Sequence, residues 1–115
     1  MNIRFSEGSI RCRVTQRELD TLLSSQGVEL AVALPRNHTL RVNVKPAVVG
    51  GWLLDSDPTG LWITIPRGEI EALAQTLPNR EGIEHQFELA GGGAVTVNFE
   101  VDVKKRSAGA QERPA

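Results

Sequence analysis

Apolar and polar residues alternate in several short stretches of the chain, a period of two that is typical of β-strands with one buried face. Residues 9–14 place Ile10, Cys12 and Val14 on one side and arginines on the other. The same alternation predicts strands over residues 2–5, 28–34, 40–45, 61–65, 83–89 and 95–101. A weaker strand is predicted over residues 49–54, where two glycines suggest a bend.

Two segments change to the period of an amphipathic helix. Thr15 and Glu18 form a capping-box pattern in front of the first helix, and Pro66 suits the first turn of the second. Pro46 is expected to end the first half of the chain. The predicted apolar stripes are Leu19, Leu22 and Leu23 in the first helix, and Ile70, Leu73, Ala74 and Leu77 in the second.

The two halves of the chain share this pattern. Residues 9–23 resemble residues 60–74 at an offset of 51, and residues 27–34 and 40–45 resemble residues 82–89 and 95–100 at an offset of 55. Each half reads strand–helix–strand–strand. The prediction is an α+β fold in which an antiparallel, strongly curved sheet or barrel carries two helices on its apolar face. Residues 1–103 would form a single duplicated domain, with repeats at about 9–45 and 60–102, and residues 104–115 a disordered tail.

Residues whose phase agrees in both halves form the predicted core. One apolar cluster is expected from Ile10, Val14, Leu19, Leu22, Val32, Val42, Ile63, Ile65, Leu73, Phe87, Val97 and Phe99.

Charge is distributed unevenly. Residues 1–50 carry seven basic and four acidic side chains, residues 51–103 carry two and nine, and residues 104–115 carry four and one. Such asymmetry fits a charged ligand or partner. It equally fits two oppositely charged halves that attract one another, and the sequence leaves both interpretations open.

Composition narrows the class of protein. The single cysteine permits no internal disulfide, so a reducing, cytoplasmic location is expected. No apolar run approaches membrane-spanning length, and no membrane partner is expected. The basic half lacks the series of exposed aromatic residues that binds single-stranded nucleic acid, so nucleic acid is not the expected partner.

The polar face of the predicted sheet is the candidate site. Its cations, Arg4, Arg11, Arg13, Arg41 and Lys45, would bind phosphate or carboxylate groups. Its carboxylates, Glu84, Glu88, Glu100 and Asp102, would hold Mg²⁺ or Ca²⁺. Arg11, Arg13 and Arg41 are predicted to act together on one anion. The alternatives are an open sheet with a solvated face, or an internal counter-charge to the arginines from Glu84, Glu88 or Glu100.

Other polar residues have ordinary explanations. Residues 55–60 (DSDPTG) predict a plain turn rather than a calcium loop, because the distal glutamate is missing. Cys12 is expected to be an inert buried thiol. Trp62 falls on the polar face, either as a platform for a stacked ligand or as a packing residue.

Two resemblances follow from these motifs. The chain resembles a family of small uncharacterised bacterial proteins, a domain of unknown function, which implies no activity. The residues that fit the opening motif of that family are Ile3, Arg4, Ser9, Ile10, Arg11, Arg13, Val14, Thr15 and Gln16, and the ending Glu100-Val101-Asp102-Val103 is similar to that of the family. Two strand–helix–strand units with charged faces resemble the CYTH superfamily of triphosphate tunnel enzymes, which implies triphosphate chemistry with Mg²⁺. Only Arg13 of this chain matches the CYTH E-x-E-x-K motif, and both glutamates of that motif are absent.

The function favoured by the sequence is a non-enzymatic cytoplasmic domain, without a resident cofactor, that binds a small anionic or phosphorylated ligand. A divergent CYTH-like, metal-dependent triphosphate hydrolase is the first alternative. A protein-interaction module that uses an exposed strand edge is the second.

Overall fold

A computed structural model describes residues 1–102, which form eight strands and two helices. The predicted tail, residues 104–115, lies outside the described residues. In chain order the elements are β1 (Asn2–Ser6), β2 (Ser9–Val14), α1 (Gln16–Leu23), β3 (Val28–Leu34), β4 (His38–Ala47), β5 (Leu53–Asp57), β6 (Gly60–Pro66), α2 (Arg67–Gln75), β7 (Ile83–Glu88) and β8 (Ala94–Val101).

The strands form two sheets rather than one. The first sheet has the strand order β1-β2-β8-β7, and the second has the order β3-β4-β6-β5. Within the described residues neither sheet closes on itself, so the expectation of one sheet or barrel is wrong. Most pairs are antiparallel, but β2 runs parallel to β8 and β4 runs parallel to β6. The α+β class is confirmed.

Each sheet joins a hairpin from the first half of the chain to a hairpin from the second. In the first sheet Ser9 lies opposite Thr96, and in the second Gly60 lies opposite Arg41. Ser9 and Gly60 are 51 positions apart, and Arg41 and Thr96 are 55 positions apart, the same offsets that relate the two halves of the sequence. The central parallel pairs of the two sheets therefore share one register.

The inner faces of both sheets and both helices contribute to one apolar cluster. Its buried members are Ile10, Cys12, Val14, Leu19, Leu22, Val42, Val44, Trp52, Ile63, Ile65, Ile70, Leu73, Val97, Phe99 and Val101. Ten of the twelve predicted core residues are in this set. Phe87 is only half-buried at its margin, and Val32 is 41% exposed. Val32 was mispredicted because alternation shows which way a side chain points and not whether anything covers it: β3 is an edge strand, and residues 31–38 are all exposed.

The sequence predicted one capping box and two proline boundaries, and only the capping box has the predicted role. The capping box at α1 is confirmed: the Thr15 hydroxyl accepts from the Glu18 amide, and the Glu18 carboxylate accepts from the Thr15 amide. Pro66, by contrast, is the last residue of β6 and precedes the first turn of α2. Pro46 does not end its strand, since it lies within β4 opposite Ile65.

Candidate functional site

Three arginines come together on the outer surface of the first sheet. Because Ile10, Cys12 and Val14 of β2 point into the core, Arg11 and Arg13 must point away from it. The antiparallel partner β1 places Arg4 opposite Arg11 and Asn2 opposite Arg13. These four side chains, here called the arginine face, line a small cleft of about 20 Å³.

A buried carboxylate from β8 holds two of these arginines. Glu100 lies opposite Arg13 in the parallel pair and is only 6% exposed. Its Oε1 accepts from Arg13 Nε at 2.9 Å and lies 2.8 Å from Arg13 Nη2, while its Oε2 lies 3.6 Å from Arg11 Nε. Arg4 makes no ion pair with any residue from 1 to 102. Glu100 therefore contacts two of the three guanidinium groups, and the third, that of Arg4, has no carboxylate partner within residues 1–102.

The other two predicted cations lie on the second sheet. Arg41 and Lys45 are on the outer face of β4, and Arg41 pairs with Glu29 of β3 at 3.1 Å. Both partners of that pair are nearly half exposed, so it contributes little to stability. The structure therefore does not bring Arg41 together with Arg11 and Arg13. All three point away from the core, but from different sheets.

The four carboxylates predicted to hold a metal are not assembled into a site. Glu100 is held by the two arginines, and Glu84 of β7 lies 3.5 Å from the Asn98 amide nitrogen. Asp102 follows the last strand, where its backbone amide donates to Val14. Across residues 1–102 no group of three or more His, Cys, Asp or Glu side chains converges on a point that a metal ion could occupy.

A second concave surface lies on the outer face of the second sheet and was not predicted as a site. It is an open pocket of about 420 Å³, here called the Trp62 pocket, lined by Lys45, Leu53, Asp55, Asp57, Trp62 and Thr64. The sequence pattern singles out Lys45 and Trp62 but, because residues 55–60 resemble a turn, not the two carboxylates beside them, Asp55 and Asp57. Both lie in β5, with Asp55 opposite Trp62 and Asp57 opposite Gly60. Their spacing of two, around Ser56, is the signal that could have placed them on one strand face.

Two further reactive side chains have structural roles. Cys12 is 1% exposed, and this burial raises the pKa of its thiol to about 12. It therefore stays protonated and is a poor nucleophile at neutral pH. His85 of β7 stacks on Trp52 with ring centroids 5.5 Å apart and meets Phe87 edge-on at 4.8 Å.

Comparison with known proteins places the chain in a family without assigning an activity. No curated protein and no solved structure matches it. Neither helix in the described part of the chain is long and apolar enough to span a membrane. The family model of DUF7009, a family of unknown function, matches residues 1–112, and the chain belongs to this family.

Proposed function

We propose that the protein binds a small anion, the phosphoryl or carboxylate group of a ligand, at the arginine face without transforming it. The observation that carries this proposal is the placement of Arg4 directly opposite Arg11 on neighbouring strands. Like charges in that position are destabilising. Glu100 offsets part of the repulsion by pairing with Arg11 and Arg13, and a bound anion would offset the rest.

The geometry around Glu100 supports the same function. A carboxylate beneath two guanidinium groups restricts their rotamers, so less conformational entropy is lost when they bind a ligand. The three guanidinium groups and the Glu100 carboxylate that contacts two of them have a summed formal charge of +2. Guanidinium groups with this charge suit phosphate and carboxylate oxygens, which they can contact in a bidentate manner. A cleft of about 20 Å³ has room for little more than one water molecule, so the anion would bind at its mouth.

The experiment is a melting-temperature titration with inorganic phosphate and pyrophosphate, compared with sodium chloride at equal ionic strength. Arg4→Gln is the informative variant, because Arg4 pairs with no carboxylate in residues 1–102 and its loss strands no charge. We expect this variant to melt at the same or a higher temperature without anion and to lose the anion-induced stabilisation. Arg17→Gln, on the exposed side of α1, is the matched control and should behave like the unchanged protein. If neither phosphate nor pyrophosphate stabilises the unchanged protein more than chloride does, the proposal is wrong.

We also infer that the two halves of the chain arose by duplication. The shared register of the two parallel strand pairs supports this inference, because Ser9–Thr96 and Gly60–Arg41 are related by the sequence offsets. The arginines of the arginine face are not part of the repeat: the positions that correspond to Arg11 and Arg13 are Trp62 and Thr64. The outer surfaces of the two sheets would therefore differ in residue type, with arginines on the first and uncharged side chains at the corresponding positions of the second.

A further inference from the structure

We propose that the Trp62 pocket is a binding site for an uncharged saccharide, separate from the arginine face. The pocket lies on the other sheet, and its volume of about 420 Å³ is within the range of about 300–1,000 Å³ that is usual for small-molecule sites. It combines one aromatic ring, one aliphatic side chain and several polar groups. Most small-molecule sites have this mixture of apolar lining and a few orienting polar groups.

The two tryptophans of the protein differ in burial, in hydrogen bonding and in ring contacts. Trp52 is buried, donates its indole N–H to Glu69 at 3.1 Å and stacks on His85. Trp62 is only half-buried and, among residues 1–102, neither donates its indole N–H to the protein nor stacks on another ring. It lies on β6, between Asn43 of β4 and Asp55 of β5. Its ring is therefore held on the outer face between β4 and β5, and its indole N–H has no acceptor within residues 1–102.

The rim of the pocket offers acceptors on one side and a donor on the other. Asp57 Oδ1 accepts from the Thr59 hydroxyl at 2.6 Å and the Thr59 amide at 2.7 Å, and these hydrogen bonds lower the pKa of Asp57. Asp55 Oδ1 accepts from the Ser56 amide at 2.8 Å. The other carboxylate oxygen of Asp55 has no hydrogen-bond donor within residues 1–102. On the opposite side, Lys45 of β4 forms no ion pair in the same part of the chain.

A sugar ring fits this arrangement of groups. Each hydroxyl both donates and accepts hydrogen bonds, so neighbouring hydroxyls can donate to Asp55 and Asp57 and accept from Lys45. The C–H groups on one face of a pyranose carry a small positive charge, and the face of an indole ring is negative. The ring would therefore lie flat on Trp62 while its hydroxyls reach the rim.

Charge distinguishes a saccharide from a nucleotide, which also stacks on aromatic side chains. Two carboxylates and one ammonium leave the lining of the pocket with a formal charge of −1. That charge repels phosphate groups. A further cation on the outer face of β4, Arg41, is already paired with Glu29.

The test is acrylamide quenching of tryptophan fluorescence, titrated with neutral mono- and disaccharides: glucose, galactose, mannose, N-acetylglucosamine, maltose and cellobiose. Because Trp52 is buried, the quenchable signal comes mainly from Trp62. We expect at least one of these sugars to protect Trp62 saturably with a dissociation constant on the order of 10 mM or below. Saturation-transfer NMR on the same samples should show transfer to the bound sugar.

The variants separate a binding role from a structural one. Asp55→Asn keeps the shape of the side chain and should weaken sugar binding about tenfold while the melting temperature holds, because a charge-assisted hydrogen bond is replaced by a neutral one. Trp62→Ala should abolish the transfer signal. Asp20→Asn, which alters an exposed carboxylate on α1, is the matched control and should bind as before. Phosphate should not compete.

Three results would overturn the proposal. One is the absence of saturable protection by every sugar in the panel. The second is an unchanged transfer signal in Trp62→Ala or unchanged affinity in Asp55→Asn. The third is protection by adenosine or uridine without protection by any sugar, which would assign the pocket to a nucleobase. Because these readouts do not involve the arginine face, they are independent of the outcome of the phosphate experiment.

Discussion

The indole Nε1 of Trp52 donates a hydrogen bond to a carboxylate oxygen of Glu69 at 3.1 Å. The residues 51 positions earlier are Met1 and Glu18, and there the terminal ammonium lies 2.7 Å from the carboxylate. In both halves a donor that precedes the first hairpin therefore reaches the third residue of the helix. Each half therefore connects the start of its first hairpin to a carboxylate of its helix, through an ammonium group in the first half and an indole N–H in the second.

Replacing Trp52 by Phe should destabilise the protein by about 1–2 kcal/mol, because it removes one hydrogen bond to a carboxylate and part of a buried ring. Trp62→Phe is the matched control, since Trp62 is half-buried and donates no hydrogen bond to residues 1–102. Urea unfolding measures both variants. Equal losses of stability would show that the contact with Glu69 does not matter.

Removing the Met1–Glu18 interaction should change how stability depends on pH. Partial burial alone would raise the pKa of Glu18, but hydrogen bonds from the Met1 ammonium and from Thr15 outweigh it and lower the pKa below its ordinary value of 4.5. Because the pKa of Glu18 is lower in the folded protein than in the unfolded chain, the ionised carboxylate stabilises the fold above pH 4.5. This stabilisation is lost as the pH falls through the pKa of Glu18 in the folded protein. Glu18→Gln should therefore show a smaller loss of stability between neutral pH and pH values below 4.5 than the unchanged protein shows. Parallel curves for the two proteins in urea unfolding at each pH would contradict this assignment.

Truncating Arg13 should destabilise the protein through the carboxylate left behind. Glu100 is 6% exposed and depends mainly on Arg13, so Arg13→Ala should cost roughly 1–3 kcal/mol. Adding Glu100→Gln removes the stranded charge and should recover most of that loss. If the double variant is as unstable as Arg13→Ala alone, the buried charge is not the cause. Arg13→Ala by itself therefore does not test anion binding, whereas Arg4→Gln does.

Leu22→Ala and Leu73→Ala should each destabilise the protein by about 2–5 kcal/mol, because both side chains are almost completely buried between the helices and the sheets. The matched control is Leu34→Ala, at the exposed end of β3, where the side chain is 44% exposed and the cost should be small. Chemical unfolding measures all three. A cost at Leu34 equal to that at Leu22 would show that the end of β3 is covered in solution.

Cys12 should resist thiol reagents in the folded protein. Burial raises the pKa of its thiol to about 12, so the reactive thiolate is scarce at pH 8 and the sulfur is inaccessible. Labelling with a disulfide reagent should proceed only as fast as the protein opens, and should become rapid in urea. Rapid labelling of the native protein would show that β2 is not held in the core as described.

Sequence alternation alone was sufficient to predict which way most side chains point. In β2 it placed Cys12 in the core and Arg11 outside it, and in β4 it placed Val42 inside and Arg41 outside, as the structure has them. The capping box at Thr15 was also predictable, because it depends only on residues within one turn of the chain. These features are local, so the order of the residues determines them.

Tertiary structure decided which strands are neighbours. β2 pairs with β8 from the far end of the chain, and no local pattern specifies a partner so distant in sequence. The two sheets share one core, so each sheet has its own outer surface. Arg11 lies on the outer surface of the first sheet, and Arg41 lies on that of the second. The same long-range pairing puts Glu100 beneath Arg13 and Asp55 beside Trp62. The residue types of both candidate sites were visible in the sequence, but their grouping depended on strand pairing, which a period of two does not encode.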